Sequence, residues 1–366
     1  MAAARTTSPL LTWTTYGPAA ALVALGLTWG RGLNTLVVAV VAALLAASVL
    51  AAVHHAEVVA HRVGEPFGSL VLAVAVTVIE VALIVTLMVS GGKDSSSLAR
   101  DTVFAAVMIT CNGIVGLSLL AGARRHGLVS FNAEGAGAAL ATVTALAVLT
   151  MVVPTFTTSA PGPEFSGAQL AFAAVASLAL YAMFVSTQTV RHRDFFLPVT
   201  AEGELMEDEH ADPPTDRAAL TSLGLLVASL VAVVGLAKVE SPAIESAVAA
   251  AGLPPSFVGV VIALLVLLPE TLAAVRAAQR NRIQISLNLG LGSAMASIGL
   301  TIPVIAVATV WLEQPLQLGL GPTQMVLLAL TVVVSVLTVV PGRATRLQGG
   351  VHLVLMAAFI FLAIAP

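Results

Sequence analysis

Stretches of about twenty apolar residues, the length a helix needs to cross the roughly 30 Å hydrocarbon core of a bilayer, recur along almost the whole chain of 366 residues. Eleven can be marked, near residues 10–30, 33–53, 67–91, 102–122, 135–158, 167–189, 219–237, 253–275, 285–312, 321–341 and 348–365. A membrane interior offers the backbone no water to bond to, so runs of this length fold as helices. The connections leave no room for a folded soluble domain. Only 10% of residues are charged, against about a quarter in soluble domains. The expected fold class is an all-α integral membrane protein with about eleven transmembrane helices. The run near 135–158 is interrupted by Pro154. Residues 1–31, with one early positive charge and no clear small-x-small cleavage site, read as a retained N-terminal transmembrane helix.

Lys and Arg of short loops stay on the cytoplasmic side of a membrane, and eleven spans divide them unevenly. Arg5, Arg62, Arg124, Arg125, Arg191, Arg193, Arg217, Arg276, Arg280, Arg282, Arg343 and Arg346 share the side of the N-terminus, and only Arg31, Lys93, Arg100 and Lys238 lie opposite. That division places the N-terminus in the cytoplasm and the C-terminus in the periplasm or outside the cell. With a net charge of −3 and no basic block, nucleic acid is excluded as a partner. The single cysteine, Cys111, excludes an internal disulfide framework. The one long polar segment, 190–218, carries Glu202, Glu204, Glu207, Asp208, Glu209, Asp212 and Asp216. It reads as a solvated cytoplasmic linker, and a low-affinity cation collector is the sharper alternative.

Five apolar runs lie on each side of this linker, in 32–189 and 219–366. An odd number per half means that the halves enter the membrane in opposite directions, an inverted repeat of the kind transporters use, with the binding site near the midplane. FGSLVLAVAVTVIEVALIV (67–85) aligns without a gap to FVGVVIALLVLLPETLAAV (257–275), and Glu80 falls on Glu270. These are the only acids in the middle of a confident apolar run. A charged carboxylate at the bilayer centre costs about 2.5–3.5 kcal/mol on insertion scales, so it faces a cavity, a partner or an ion. An Arg-paired or protonated glutamate gluing helices together is the bland explanation, but no Lys or Arg lies at comparable depth.

Desolvation favours the protonated form of a carboxylate and a divalent cation favours the ionised form, so protons and a cation compete for such acids. Competition of that kind suffices for antiport. Calcium takes six to eight oxygens. Secondary ligands are sought in Thr77, one turn before Glu80, in Thr110, Cys111 and Asn112, and in Gly292, Ser293 and Ser297. Pro269 has no N–H for the Leu265 carbonyl, which leaves an acceptor free to kink the helix or to coordinate an ion.

Elsewhere, VHHAEVVAHRVGEP supplies His54, His55, Glu57, His61, Arg62 and Glu65. A solvated helix end is one explanation, and gating or pH regulation by Glu57, His61 and Glu65 the other. It is not an HExxH zinc motif. Glu240, Glu245 and Glu313 read as surface loops. An intramembrane enzyme would need a nucleophile set, and Ser293 and Glu270 have no His companion at their depth. A channel would conduct without proton coupling.

HHAEVVAHRVGEPFGSL (54–70), VTVIEVALI and LLPETLAAVRAAQRNRIQISLNLGLGSAMASIGLTIPV (267–304) resemble the calcium/cation:proton antiporters, the CAX branch of the cation/calcium exchanger superfamily, in its bacterial ChaA type. The resemblance covers nearly the whole chain. It implies a bacterial inner-membrane exchanger with no resident cofactor, whose partners are the lipid bilayer, protons and inorganic cations. Calcium, with sodium or potassium as the alternative, would leave as protons enter, and Glu80 and Glu270 would carry both in turn. The wider family pattern places an Asn three residues before each acid, where this chain has Thr77 and Leu267. The missing amides weaken the case for calcium selectivity more than that for antiport. Oligomeric state is left open.

Overall fold

The computed structural model describes residues 13–64, 67–90, 96–200, 204, 213–311 and 316–366. Apart from short strands the described chain is helical. In order come α1 (Trp13–Thr28), α2 (Thr35–Val63), α3 (Phe67–Ser90), α4 (Leu98–Met108), α5 (Val115–His126), α6 (Ala133–Ala147), α7 (Gly167–Ser186) and α8 (Asp216–Ala250). Then follow α9 (Phe257–Val266), α10 (Leu268–Gln279), α11 (Ile283–Gly299), α12 (Thr301–Ala308), α13 (Pro322–Val339) and α14 (Arg346–Ile364). Among the described residues each apolar run is helical over most of its length. Among the described residues eight helical stretches are long and apolar enough to cross a membrane, and the bent pair α9–α10 makes a ninth. Helix α1 has 16 residues, about 24 Å at 1.5 Å per residue, and α3 is an apolar helix of 24.

Helix starts follow local chemistry. Asn34 and Asn132 cap α2 and α6 by accepting backbone N–H groups, while Ser166 with Gln169 and Thr345 with Gln348 form capping boxes on α7 and α14. Three spans widen into π-turns, at Ile109–Ile114 between α4 and α5, at Val148–Val152 after α6 and at Thr187–Arg191 after α7. Pro154 follows the second of these, where the α6 span ends in a single 3₁₀ turn.

The helices group into two compact units. One holds α1, α2, α3 and α8 as far as Ser246. In it the buried His55 joins three helices: its Nε2 lies 3.1 Å from the Thr14 carbonyl and its Nδ1 3.3 Å from Ser222 Oγ. A carbonyl only accepts, so Nε2 carries the proton and Nδ1 accepts from the serine. Arg62 Nε donates to Asp216 Oδ1 at 2.7 Å, an exposed pair. Helix α8 runs well past the apolar stretch, through Pro242 to Ala250. This corrects the loop assignment of Glu240 and Glu245: both are helical, Glu240 is buried and Glu245 half-buried. Hydropathy falls at Lys238, but the helix continues beyond it.

The second unit holds the other helices. Val129–Ser130 and Arg343–Ala344 form an antiparallel two-residue ladder between the α5–α6 and α13–α14 loops. Its core includes Leu119, Phe131, Leu140, Ile283 and Leu287. Helices α5 and α14 cross at glycines. A Cβ on Gly349 would lie 2.6 Å from the Leu120 nitrogen, and one on Gly116 would lie 3.0 Å from His352 Cβ. Small residues let membrane helices approach in this way. Gly349→Leu is therefore expected to destabilise the protein by about 1–3 kcal/mol, the usual range for overpacking, read as a lower thermal midpoint in detergent. An unchanged midpoint would contradict the close crossing.

Candidate cation-binding site

Glu80 lies in the first unit, on a continuous turn of α3, and is 3% exposed. Val76, Ile79, Leu83 and Ile84 of the same helix are buried around it. Thr77, one turn earlier and 5% exposed, has a hydroxyl oxygen with no hydrogen-bond partner among the described residues. A buried hydroxyl in that condition forfeits about 1–3 kcal/mol. Three residues apart on one helix, Thr77 and Glu80 share a face.

Glu270, in the second unit, has a different local setting. The helix breaks after Val266, and α10 sets off at 53° to α9. Pro269 is the cause the sequence pointed to, since it has no N–H for the Leu265 carbonyl. Thr271 closes the new first turn, its N–H and its hydroxyl donating to the Leu267 carbonyl at 2.9 and 2.7 Å. Glu270 is the acid of that first turn and is half-buried. The first N–H groups of a helix lack intrahelical acceptors and carry partial positive charge, which favours a carboxylate there. Helix α10 is tied to α11 by Ser286 Oγ, which donates to the Ala274 carbonyl at 2.6 Å. On α11, Ser293 is half-buried, Ser297 is buried, and a Cβ on Gly292 would meet nothing within 4 Å.

The π-turn at Ile109–Ile114 holds Thr110, Cys111 and Asn112, all buried. Thr110 donates back to the Ala106 and Val107 carbonyls at 2.8 and 3.0 Å. Both ends of the Asn112 amide are engaged: Nδ2 donates to Thr331 Oγ1 at 2.9 Å, and Oδ1 accepts from His352 Nδ1 at 3.2 Å. The other ring nitrogen of His352 lies 3.1 Å from Thr338 Oγ1. For Asn112 to bind a cation through Oδ1 it would exchange the histidine for the ion. His352 attracts no notice in the sequence, because its partner is 240 residues away.

Of the α2 residues, Glu57 and His61 are exposed one turn apart, and Glu65 lies outside the described residues. So do Glu313 and the linker acids Glu202, Glu207, Asp208, Glu209 and Asp212. Among the described residues no three His, Cys, Asp or Glu side chains gather as a metal cluster.

Comparison with known sequences decides the family. The sequence profile described as sodium/calcium exchanger protein matches residues 33–190 and 221–365. The chain belongs to this exchanger family. It is a multi-pass membrane protein of that family, 35% identical over 348 residues to the sodium-potassium/proton antiporter ChaA of Escherichia coli, covering 94% of this chain and 93% of that one. It is 47% identical over 329 residues to y4hA of Sinorhizobium fredii, which its name calls an ionic transporter, covering 89% and 88%. Solved exchanger structures share the fold. Native YfkE superposes with a TM-score of 0.72 at 15% identity over 97% of this chain and 99% of that one. The H+/Ca2+ exchanger CAX superposes at 0.67 and 14% identity over 95% and 86%.

Proposed function

We propose that this exchanger is a secondary antiporter of the bacterial inner membrane that exports a cation as protons enter, with both competing for Glu80 and Glu270. What carries it is the placement of Glu270 in the first turn of a broken helix, where a discontinuous span presents charge-stabilising N–H groups at membrane depth. The buried Glu80, one turn from a Thr77 hydroxyl with no partner among the described residues, supplies the matching acid of the other half. In this assignment α1 and α3 complete a set of eleven spans. Helices α2–α7 and α8–α14 form two inverted five-helix repeats around the 190–218 linker, and the N-terminus is cytoplasmic. The family profile supports that division, since it matches in two segments and leaves the first 32 residues and the linker outside.

Calcium is the proposed cargo. Sodium or potassium is the second candidate, favoured by the relative named as a sodium-potassium/proton antiporter and by Thr77 and Leu267 at the positions of the family's amides. Everted vesicles carrying an imposed pH gradient are expected to lose it when calcium is added. The same assay run with sodium and potassium ranks the three. Dissipation by sodium or potassium alone would replace the cargo, and dissipation by none would remove the antiport assignment.

A further inference from the structure

Helix α8 carries a carboxylate that neither Glu80 nor Glu270 accounts for. Glu240 is 3% exposed, and its Oε2 has no hydrogen-bond partner among the described residues. Its depth makes this unexpected. Lys238, two residues earlier, holds its ammonium 5.1 Å from the centre of the Trp29 ring. A Trp and a Lys together mark the level of a membrane–water interface, where a carboxylate reaches water easily. Glu240 instead continues the fully buried stripe of Ala232, Val233, Leu236 and Ala237, and Ser241 beside it is equally buried.

Among the described residues no ion pair neutralises it. Lys238 is turned to Trp29, no ion pair joins it to Glu240 among the described residues, and Arg31, just past α1, is exposed. Helix α1 has no charged residue, α2 has no titratable residue before His54, and α3 has only Glu80. Glu245 accepts from Ser241 Oγ at 3.1 Å. Pro242 has no N–H for the Lys238 carbonyl. The oxygens near it along α8 are therefore the Lys238 carbonyl, the Ser241 hydroxyl and the Glu245 carboxylate that the hydroxyl serves. Calcium needs six to eight oxygen ligands, far more than this. A carboxyl withdrawn from water with no cation paired to it is neutralised most readily by a proton.

We propose that Glu240 is a third proton-binding carboxylate, loading protons on the non-cytoplasmic side of the membrane before they are exchanged. The role rests on the antiport reading above and on its N-in orientation.

The test uses the full-length protein in proteoliposomes. Dicyclohexylcarbodiimide attacks protonated carboxyls in apolar surroundings, and peptide mass spectrometry is expected to find Glu240 modified at acidic pH and spared at alkaline pH. In flux measurements Glu240→Gln is expected to keep the wild-type apparent KM for the cytoplasmic cation. The external pH giving half-maximal rate should fall by about one unit, a tenfold change in proton concentration. Glu240→Asp should restore the wild-type profile, which a merely structural role would not predict. An unmodified Glu240 at every pH, or a wild-type external pH profile in Glu240→Gln, overturns the proposal. If Glu240→Gln fails to accumulate, the labelling of the wild-type protein decides. Wild-type protein that labels at Glu240 but shows no pH-driven flux removes the antiport reading and leaves the proton site standing.

Discussion

Glu80→Gln and Glu270→Gln are each expected to reduce pH-driven cation flux to that of protein-free vesicles. Glutamine keeps the shape and one carbonyl oxygen of glutamate but holds neither a negative charge nor an exchangeable acid proton, so both competing ligands are lost together. In the wild-type protein the proposed competition is expected to appear as an apparent cation KM that rises with proton concentration on the loading side. The two variants should differ in stability. Gln at position 270 forgoes the favourable interaction of a carboxylate with a helix start, worth about 0.3–1 kcal/mol. Glu80 lies within a continuous helix and gains nothing from a helix start, so Glu270→Gln is expected to lower the thermal midpoint more than Glu80→Gln. Full flux in both variants would end the shared-ligand mechanism.

The second large effect concerns the π-turn between α4 and α5. His352→Leu takes the histidine donor from Asn112 Oδ1, and Asn112→Leu takes the acceptor from His352 Nδ1 and the donor from Thr331 Oγ1, all buried. Each orphaned group costs about 1–3 kcal/mol, so either variant should lower the thermal midpoint of the purified protein markedly. The double variant removes both partners at once, and contacting residues of this kind show interaction energies of about 0.5–3 kcal/mol. It should lose less than the two single losses added. Strict additivity would mean that the Asn112–His352 hydrogen bond does not couple α14 to the π-turn.

Several of these features were legible before any coordinates, and the reasons differ. Apolar runs announce membrane helices because every residue in lipid obeys one rule, and Pro269 announced the break in α9–α10 because a missing N–H acts at a fixed distance along the chain. The far end of α8 was missed for the opposite reason: hydropathy drops at Lys238, although nothing in ESPAIESAVAA stops a helix except Pro242, which bends or weakens one without always ending it. The same drop sent Glu240 to the surface. No sequence pattern marks the π-turn at Ile109–Ile114, since a widened turn depends on the contacts that hold it. The alignment of Glu80 with Glu270 was visible, but not their unlike settings, one inside a helix and one at the start of another.

The crossing of α5 and α14 also bears on how the chain is made. Arg346 and Ala123, which meet where these helices run together, are 223 residues apart in sequence, and the ladder strand Val129–Ser130 finds its partner only at Arg343–Ala344. Helix α5 emerges from the ribosome well before α14, so its glycine face has no α14 to pack against until that helix is synthesised. Lipid, or another helix of the same chain, must cover that face in the interval. The nineteen-residue α14 is therefore the helix whose insertion closes that face.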